Sequence, residues 1–431
     1  MSEVWFVDAN GGQKREIHKE CQGKGCQNCG YTGYHLDIAP PEPLPIAFSR
    51  LIEKAGLKDI IKKDDKVAIK IHSGEHLNHR LIPPVFYEVL VKKIKELGGR
   101  PFLTDTNTVY TYSRYEAIEH YITAWRNGYA LYSYGAPFIV ADGLIGSDAV
   151  KVSIKGDILK EVFVPTAIYY SDVLIAIDHT TLHPGMGLGA NVKNLGMGGV
   201  SKQTKIQIHR HEIPFFIKEK CVGCQKCISL CPTGAISLVE KKAKLDPSKC
   251  VGCRMCMGVC EHNAITLKKM NTKQTYLALA DGAMGVIKKF KDKFLAVNFL
   301  LNITMDCDCT DEQGRPVIPD LGILASKDIV AIDQASLDMI AKSPYYPLSV
   351  AEGLPEKADL TSTSKYTAQF SVHQMLKYLE SKGIGSCKYT LKNLKPKKVS
   401  LKERGEFIPE MAFVRRLRTR IEKDTKKVFG K

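Results

Sequence analysis

The chain has no apolar run near the roughly 20 residues that a membrane-spanning helix needs. It has no dinucleotide fingerprint, no P-loop and no flavin motif, so a built-in NAD or nucleotide site is not expected. Residues Met1 to Asn10 lack a basic segment followed by an apolar stretch, which predicts no signal peptide. Fourteen cysteines without a secretory signal argue against a disulfide framework. They point instead to metal ligation in a reducing, cytoplasmic and anaerobic or well-protected setting. What remains is an ordinary folded composition, 44% hydrophobic and 25% charged, over 431 residues, enough for two or three domains. The net charge of +16 is unevenly spread: residues 388–431 alone carry +10. Such a tail suits an acidic protein partner, RNA or a membrane surface, or is simply solvated.

Eight cysteines form one pattern written twice. Cys221, Cys224, Cys227 and Cys231 are followed by Pro232; Cys250, Cys253, Cys256 and Cys260 repeat the spacing. C-x2-C-x2-C-x3-C is the bacterial ferredoxin spacing, in which the fourth cysteine ligates the other cluster. The spacing therefore predicts one [4Fe–4S] cluster on Cys221, Cys224, Cys227 and Cys260. A second is expected on Cys250, Cys253, Cys256 and Cys231. Glu261 stands where the second repeat would ordinarily carry proline.

Around this segment the pattern is α/β. Strands are expected at Val4–Val7, Lys66–Ile71, Phe102–Thr104, Phe138–Val140, Asp172–Ile177, Ala296–Ile303 and Ile329–Ile332. Helices are expected at Phe48–Leu57, Pro84–Leu97, from a Ser113/Glu116 capping box to Arg126, and at Asp333–Ala341. This alternation predicts a mainly parallel sheet core with an inserted 2[4Fe–4S] ferredoxin-like α+β domain. The expected boundaries are an N-terminal strand and Cys-rich loop at 1–46, core at 47–211, insert at 212–270, core at 271–391 and basic tail at 392–431. Ligands of open α/β sheets sit at the carboxyl ends of strands. Asp105, Asn107, Asp142, His179 and His183 are therefore expected to share a rim.

Three further motifs carry chemistry. His18, Cys21, Cys26 and Cys29 lie in a glycine-rich loop resembling zinc knuckles, where thiolates from a tight turn converge on one ion. The expectation is a structural Zn2+, with His35 or Cys387 as alternatives to His18, and with a third iron–sulfur cluster or free thiols as alternative readings. The stretch from His179 to Asn194 places His183, Lys193 and Asn194 behind Gly185, Gly187 and Gly189. Histidine supplies acid/base or metal-ligand chemistry, and a lysine in a glycine-rich turn holds an anionic group or acts as nucleophile. Cys307 and Cys309, flanked by Asp306 and Asp308, read as metal ligands, a redox pair or buried small residues.

The strings Asp105–Tyr110, Gly135–Gly143, His179–Gly199 and Asp306–Asp333 together resemble the iron–sulfur centre proteins of domain of unknown function 362. The resemblance covers about residues 47–391 and implies an α/β core with a ferredoxin insert, but no reaction. A weaker similarity, carried by His179, His183 and Lys193, is to nickel-dependent lactate racemases. The Cys-rich loop and the basic tail depart from the family pattern. The expected function is an iron–sulfur oxidoreductase, fed by a soluble electron-carrier protein, with catalytic candidates His179, His183, Lys193, Asn194, Cys307 and Cys309. The alternatives are a non-enzymatic electron-transfer or metal-delivery module, and a nucleic-acid-acting protein that uses the tail.

Overall fold

The computed structural model describes residues 1–9, 15–17, 21–22, 24, 27, 34–36, 42–129, 135–267, 272–311, 313–355, 359–362, 370–397 and 399. The chain divides into two compact units, residues 1–9 with 51–394, and residues 10–50 with 395–431. In the smaller unit, Arg15–Ile17 pairs antiparallel with Tyr34–Leu36, and Arg50 holds the buried Glu42 at 2.5–2.7 Å. His18, Cys26 and Cys29 of the expected zinc loop lie outside the described residues, as does most of the basic tail. Cys21 is described, in a turn closed by the Lys24 N–H on its carbonyl at 2.9 Å.

The strands of the larger unit that frame the core and its rim are β1 (Ser2–Asp8), β2 (Lys66–Lys70), β3 (Arg100–Asp105), β4 (Phe138–Val140), β5 (Val173–His179), β6 (Thr181–His183), β7 (Gly187–Gly189), β8 (Phe294–Leu300), β9 (Gly322–Ser326) and β10 (Tyr389–Asn393), with a further antiparallel pair at Ala149–Ser153 and Glu161–Pro165. Eight of them form one sheet in the order β10-β1-β9-β8-β5-β2-β3-β4. All neighbours are parallel except β9, which runs against both β8 and β1. The core is thus mixed α/β with a large, mostly parallel sheet. Strands β5 and β8 are buried at every position. A strand covered on both faces reads as a nearly continuous apolar run, as VLIAI does and as FLAVNFL does apart from Asn298, whose amide is held by Asp333 and Ser336 at 2.9 Å.

Among the described residues, the α-helices of six or more residues lying wholly in this unit are α1 (Pro84–Glu96), α2 (Ala117–Arg126), α3 (Asn191–Gly196), α4 (Lys202–His209), α5 (Thr272–Ile287), α6 (Ile329–Ala341) and α7 (Val372–Ser381). The unusual one is α5, buried at thirteen of its sixteen residues. It crosses α3 where two glycines meet. A Cβ at Gly196 would lie 2.2 Å from the Leu279 carbonyl, and one at Gly282 2.5 Å from that of Gly196. Glycine is required there because the two backbones touch. Among the described residues, no helix is long and apolar enough to cross a membrane.

Residues 212–267 form a small two-fold repeat. Gly223 and Gly252 occupy left-handed backbone (φ 73° and 70°), as do Gln225 and Arg254 (φ 63° and 62°). One-turn helices follow, Lys226–Ser229 and Met255–Gly258. Two short antiparallel pairs close the segment, Phe215–Phe216 with Ile265–Thr266 and Ile236–Val239 with Lys242–Leu245.

Three local expectations are corrected. Ile329–Ile332 is the first turn of α6, not a strand, because the Asp328 carboxylate accepts the N–H groups of Val330 and Ala331 and starts the helix there. The strand is Gly322–Ser326, just before it. Helix α2 is capped by Glu116, whose side chain accepts from Ile118 and Glu119, while Ser113 bonds Glu75 instead. Lys193 and Asn194 sit on α3, not in a glycine-rich turn; Gly187 and Gly189 belong to the β6–β7 hairpin before it.

Candidate functional site

The carboxyl ends of β2, β3 and β5 open into one cavity of about 1030 Å³, its mouth included. All six catalytic candidates line it: His179, His183, Lys193, Asn194, Cys307 and Cys309. Asp105 shares the rim as expected, but Asn107 and Asp142 do not line the cavity. They bond each other at 3.0 Å.

The floor is a buried charge network. Lys70, fully buried on β2, pairs with Asp105 at 2.9 Å, donates to Asn194 Oδ1 at 2.6 Å and lies behind α3. Arg114 adds contacts to Glu75 at 2.9 Å and Asp105 at 3.4 Å. Burial would raise the Asp105 pKa, but Lys70, with His120 and Arg114, holds it well below the usual carboxylate range. Asn194 donates its amide to the Ile177 carbonyl at 2.9 Å, so both ends of this side chain are engaged and it positions rather than reacts.

His179 is likewise engaged at both nitrogens. Nδ1 lies 3.0 Å from Asp308 Oδ1, and Nε2 donates to the Leu301 carbonyl at 2.7 Å. Burial opposes its charge, but Asp308 overrides burial and lifts its pKa to about 9. Asp308 falls to about 2 for the reciprocal reason. His179 is a held imidazolium, not a free base.

Lys193 projects from α3, whose first N–H groups, at Asn191 and Val192, are held by Asp333 at 3.1 and 2.7 Å. Its ammonium donates to Cys307 Sγ at 3.4 Å. Burial brings its pKa down to about 8, with Asp178 opposing. Lys205 of α4, also brought to about 8 by burial, donates only to neutral oxygens, those of Thr106, Asn107 and Val200 at 2.5–2.9 Å. Neither ammonium has a carboxylate within 4.0 Å among the described residues. Asp178 is pushed well above the carboxylate range by burial, with Asp333 adding to it. Its Oδ2 and the Thr181 Oγ1 are buried in the cavity lining without a hydrogen-bond partner. Buried polar atoms are ordinarily satisfied by protein or ordered water, so these two leave hydrogen-bonding capacity facing the cavity.

Cys307 and Cys309 are joined in a disulfide, with His183 Nε2 3.7 Å from Cys309 Sγ. His183, Cys307 and Cys309 are the one trio among the described residues whose histidine, cysteine or carboxylate ligand atoms all lie within 4.8 Å, which makes it a candidate metal-binding group when the two sulfurs are reduced to thiolates.

The repeat segment supplies a second set of sites. Cys221, Cys224, Cys227 and Cys260 line one small cavity, the last coming from the other repeat. Cys256 has Cys253, Cys250, Cys227 and Cys231 as neighbours, and Cys231 also neighbours Cys250 and Cys253. Backbone N–H groups point at sulfur from Ala235 to Cys231 at 3.2 Å, Ala264 to Cys260 at 3.3 Å and Ala243 to Cys221 at 3.3 Å. The main cavity reaches this segment: Arg254, between Cys253 and Cys256, lines it beside His209 and Glu212, and pairs with the buried Glu212.

Lys70, Arg114, Lys205, His209 and Arg254 escaped the sequence reading. Helix α4 reads as KQTKIQIH, a polar surface pattern, and nothing in it signals that Lys205 is buried. Lys70 sits at the end of an apolar strand, and a buried lysine there was the available clue.

No curated protein matches the chain. Among solved structures, the lactate racemase apoprotein of Thermoanaerobacterium thermosaccharolyticum is 13% identical with a TM-score of 0.32, over 62% of this chain and 54% of that one. A Thermotoga maritima protein from a structural-genomics programme is 12% identical with a TM-score of 0.32, over 64% and 54%. The chain thus spans about half the length of these solved proteins. The profile of the domain of unknown function DUF362 matches residues 67–338, which hold most of the sheet, the repeat segment and the cavity. The chain belongs to the DUF362 family.

Proposed function

We propose that the protein is an iron–sulfur oxidoreductase that passes single electrons through two [4Fe–4S] clusters to an anionic substrate in the main cavity. The observation that carries this is the crossing of the repeats. Cys260 joins Cys221, Cys224 and Cys227 around one cavity, while Cys231 neighbours Cys250, Cys253 and Cys256. Four thiols around a space, none of them forming a single-ion trio among the described residues, fit a cube better than a mononuclear ion. The N–H groups aimed at sulfur would tune the potential of each cube. Bound clusters supply reversible one-electron storage.

The rest falls to side chains of the core. Lys193 and Lys205, ammonium groups without carboxylate partners, bind and orient a negatively charged substrate. Asp178, whose carboxyl burial pushes well above the usual carboxylate range, faces the same space with an unbonded oxygen. Held by Asp308, His179 fixes the loop that carries Cys307 and Cys309. Cys221, Cys224, Cys227 and Cys260 would hold the outer cube, on the side of the exposed Cys224 where a soluble donor has access, and Cys250, Cys253, Cys256 and Cys231 would hold the inner one, in the loop whose Arg254 lines the cavity. An N-terminal Zn2+ on His18, Cys21, Cys26 and Cys29 belongs to the same proposal as a structural element, and the basic tail as a contact for an acidic partner.

Anaerobically purified protein tests this. About eight iron and eight sulfide per chain are expected, with Cys231→Ser and Cys260→Ser each disturbing both cluster spectra. Lys205→Gln should keep that iron and lose turnover. Iron-free protein with intact thiols would sink the proposal.

A further inference from the structure

Two one-electron centres beside a cavity need a place where electrons are paired. Cys307 and Cys309 line that cavity as a disulfide, their Cα atoms 5.3 Å apart, within the usual range for such a bond. Each sulfur faces a nitrogen. Lys193 Nζ and the Cys309 backbone N–H both reach Cys307 Sγ at 3.4 Å, and His183 Nε2 is 3.7 Å from Cys309 Sγ.

The histidine decides between a metal site and a redox pair. His183 Nδ1 accepts the N–H groups of Gly185 and Met186, both at 3.0 Å. A nitrogen that accepts carries no proton, so the neutral ring has its proton on Nε2. That nitrogen turns an N–H toward Cys309, not a lone pair. Metal-ligating histidines have the opposite arrangement, donating the outer N–H to a carbonyl or carboxylate. Both sulfurs therefore face hydrogen-bond donors, which stabilise thiolates, as cationic neighbours do for reactive cysteines.

Resting on the two-cluster reading above, we propose that Cys307–Cys309 is a redox-active disulfide that collects two single electrons into one two-electron reducing group. The two electrons would come one from each reduced cluster. The S–S bond breaks, two protons are taken up and two thiols form, with Lys193 stabilising the thiolate form at Cys307. Both cubes return to their oxidised state and are recharged by a soluble one-electron donor. The dithiol then offers two electrons and two protons to the substrate and closes again. Arg254 supports the route: it belongs to the second thiol loop and lines the same cavity as both sulfurs. It also stands near the His183 hairpin, 3.8 Å from the Cβ position of Gly185.

The test uses the full-length anaerobic protein with its clusters reduced by photoreduced deazaflavin, then acid quenching, alkylation with iodoacetamide and mass spectrometry of the 307–309 peptide. Two alkyl groups are expected on the reduced protein and none without donor. Cys250→Ser, which lacks an inner-cube ligand, should slow this reduction at least tenfold. In a dithiothreitol redox titration, Lys193→Gln should move the equilibrium toward the disulfide by about tenfold, or ~30 mV for a two-electron couple. A purely structural lysine would leave that equilibrium in place. Iron near eight, reduced clusters and an unalkylated disulfide would overturn the inference while sparing the two-cluster reading. Absent iron would overturn the reading beneath it. One zinc per chain that is lost in Cys307→Ser, with thiols alkylated only after chelation, would make the pair a metal site instead.

Discussion

Replacing Asp308 by asparagine isolates the ion pair that holds the floor of the cavity. In the native protein Asp308 raises the His179 pKa from 6.5 to about 9. A group whose folded pKa is raised contributes stability that is complete below its unfolded pKa and lost as pH climbs through the folded one. For His179 the contribution is full below about pH 6.5 and gone above about pH 9. At 1.36 kcal/mol per pKa unit, this amounts to about 3 kcal/mol at pH 5 and somewhat less at pH 7. The fall of Asp308 to about 2 is the same interaction seen from the carboxylate, so the two are not added. That figure agrees with the roughly 3–5 kcal/mol lost when one partner of a buried pair is removed. Asp308→Asn keeps the side-chain volume and an acceptor for Asn78 and Gln313, which reach Oδ1 at 3.3 and 2.8 Å. The assay is anaerobic thermal unfolding of both proteins at pH 7 and pH 10. A large drop in Tm is expected at pH 7 and a much smaller gap at pH 10, where His179 is neutral in both. Equal destabilisation at the two pH values would refute the electrostatic account and leave lost packing or hydrogen bonding as the cause.

Other outcomes follow from the same structure. Lys193 has its pKa lowered by burial from 10.5 to about 8, so it costs folding stability that sets in as pH falls below 10.5 and is complete below about pH 8; Lys193→Met should therefore raise Tm at pH 7, corresponding to up to about 3 kcal/mol in stability, while abolishing turnover. A lower Tm at pH 7 would contradict that sign. Gly282→Ala should push α5 off α3, because its Cβ would meet the Gly196 carbonyl at 2.5 Å; a loss of about 1–3 kcal/mol is expected by denaturation, with weakened anion binding in the cavity. Removing residues 392–431 should leave iron content unchanged and flatten the salt dependence of binding to an acidic protein or RNA. Unaltered binding at low salt would show the tail to be a solvated appendage.

The sequence alone specified the chemistry that depends on local spacing. Each cysteine repeat places three thiols within seven residues, and the turns at Gly223, Gln225, Gly252 and Arg254 need nothing beyond their own segment to form. Buried parallel strands were legible for a similar reason: VLIAI and FLAVNFL have no polar face to turn to water. The convergence of His183, Lys193 and Cys307 could be suspected, since each follows a strand or a glycine-rich segment. Tertiary structure decided what each does. His179 looked like a free acid/base group and became a held imidazolium, because Asp308, 129 residues away, sits on its Nδ1. Asn194 looked reactive and is tied to Lys70 and Ile177. Lys205, on a helix that reads as surface, lost its water to the cavity wall. Ile329–Ile332 has strand composition, yet Asp328 caps it into a helix and the sheet takes Gly322–Ser326 in its place. The backbone N–H groups of Gly185 and Met186 on His183 Nδ1 are likewise set by the hairpin and not by anything the residue pattern shows. Such outcomes are set by which charges and amides share a dry space, and a one-dimensional pattern carries spacing along the chain but not who meets whom across it.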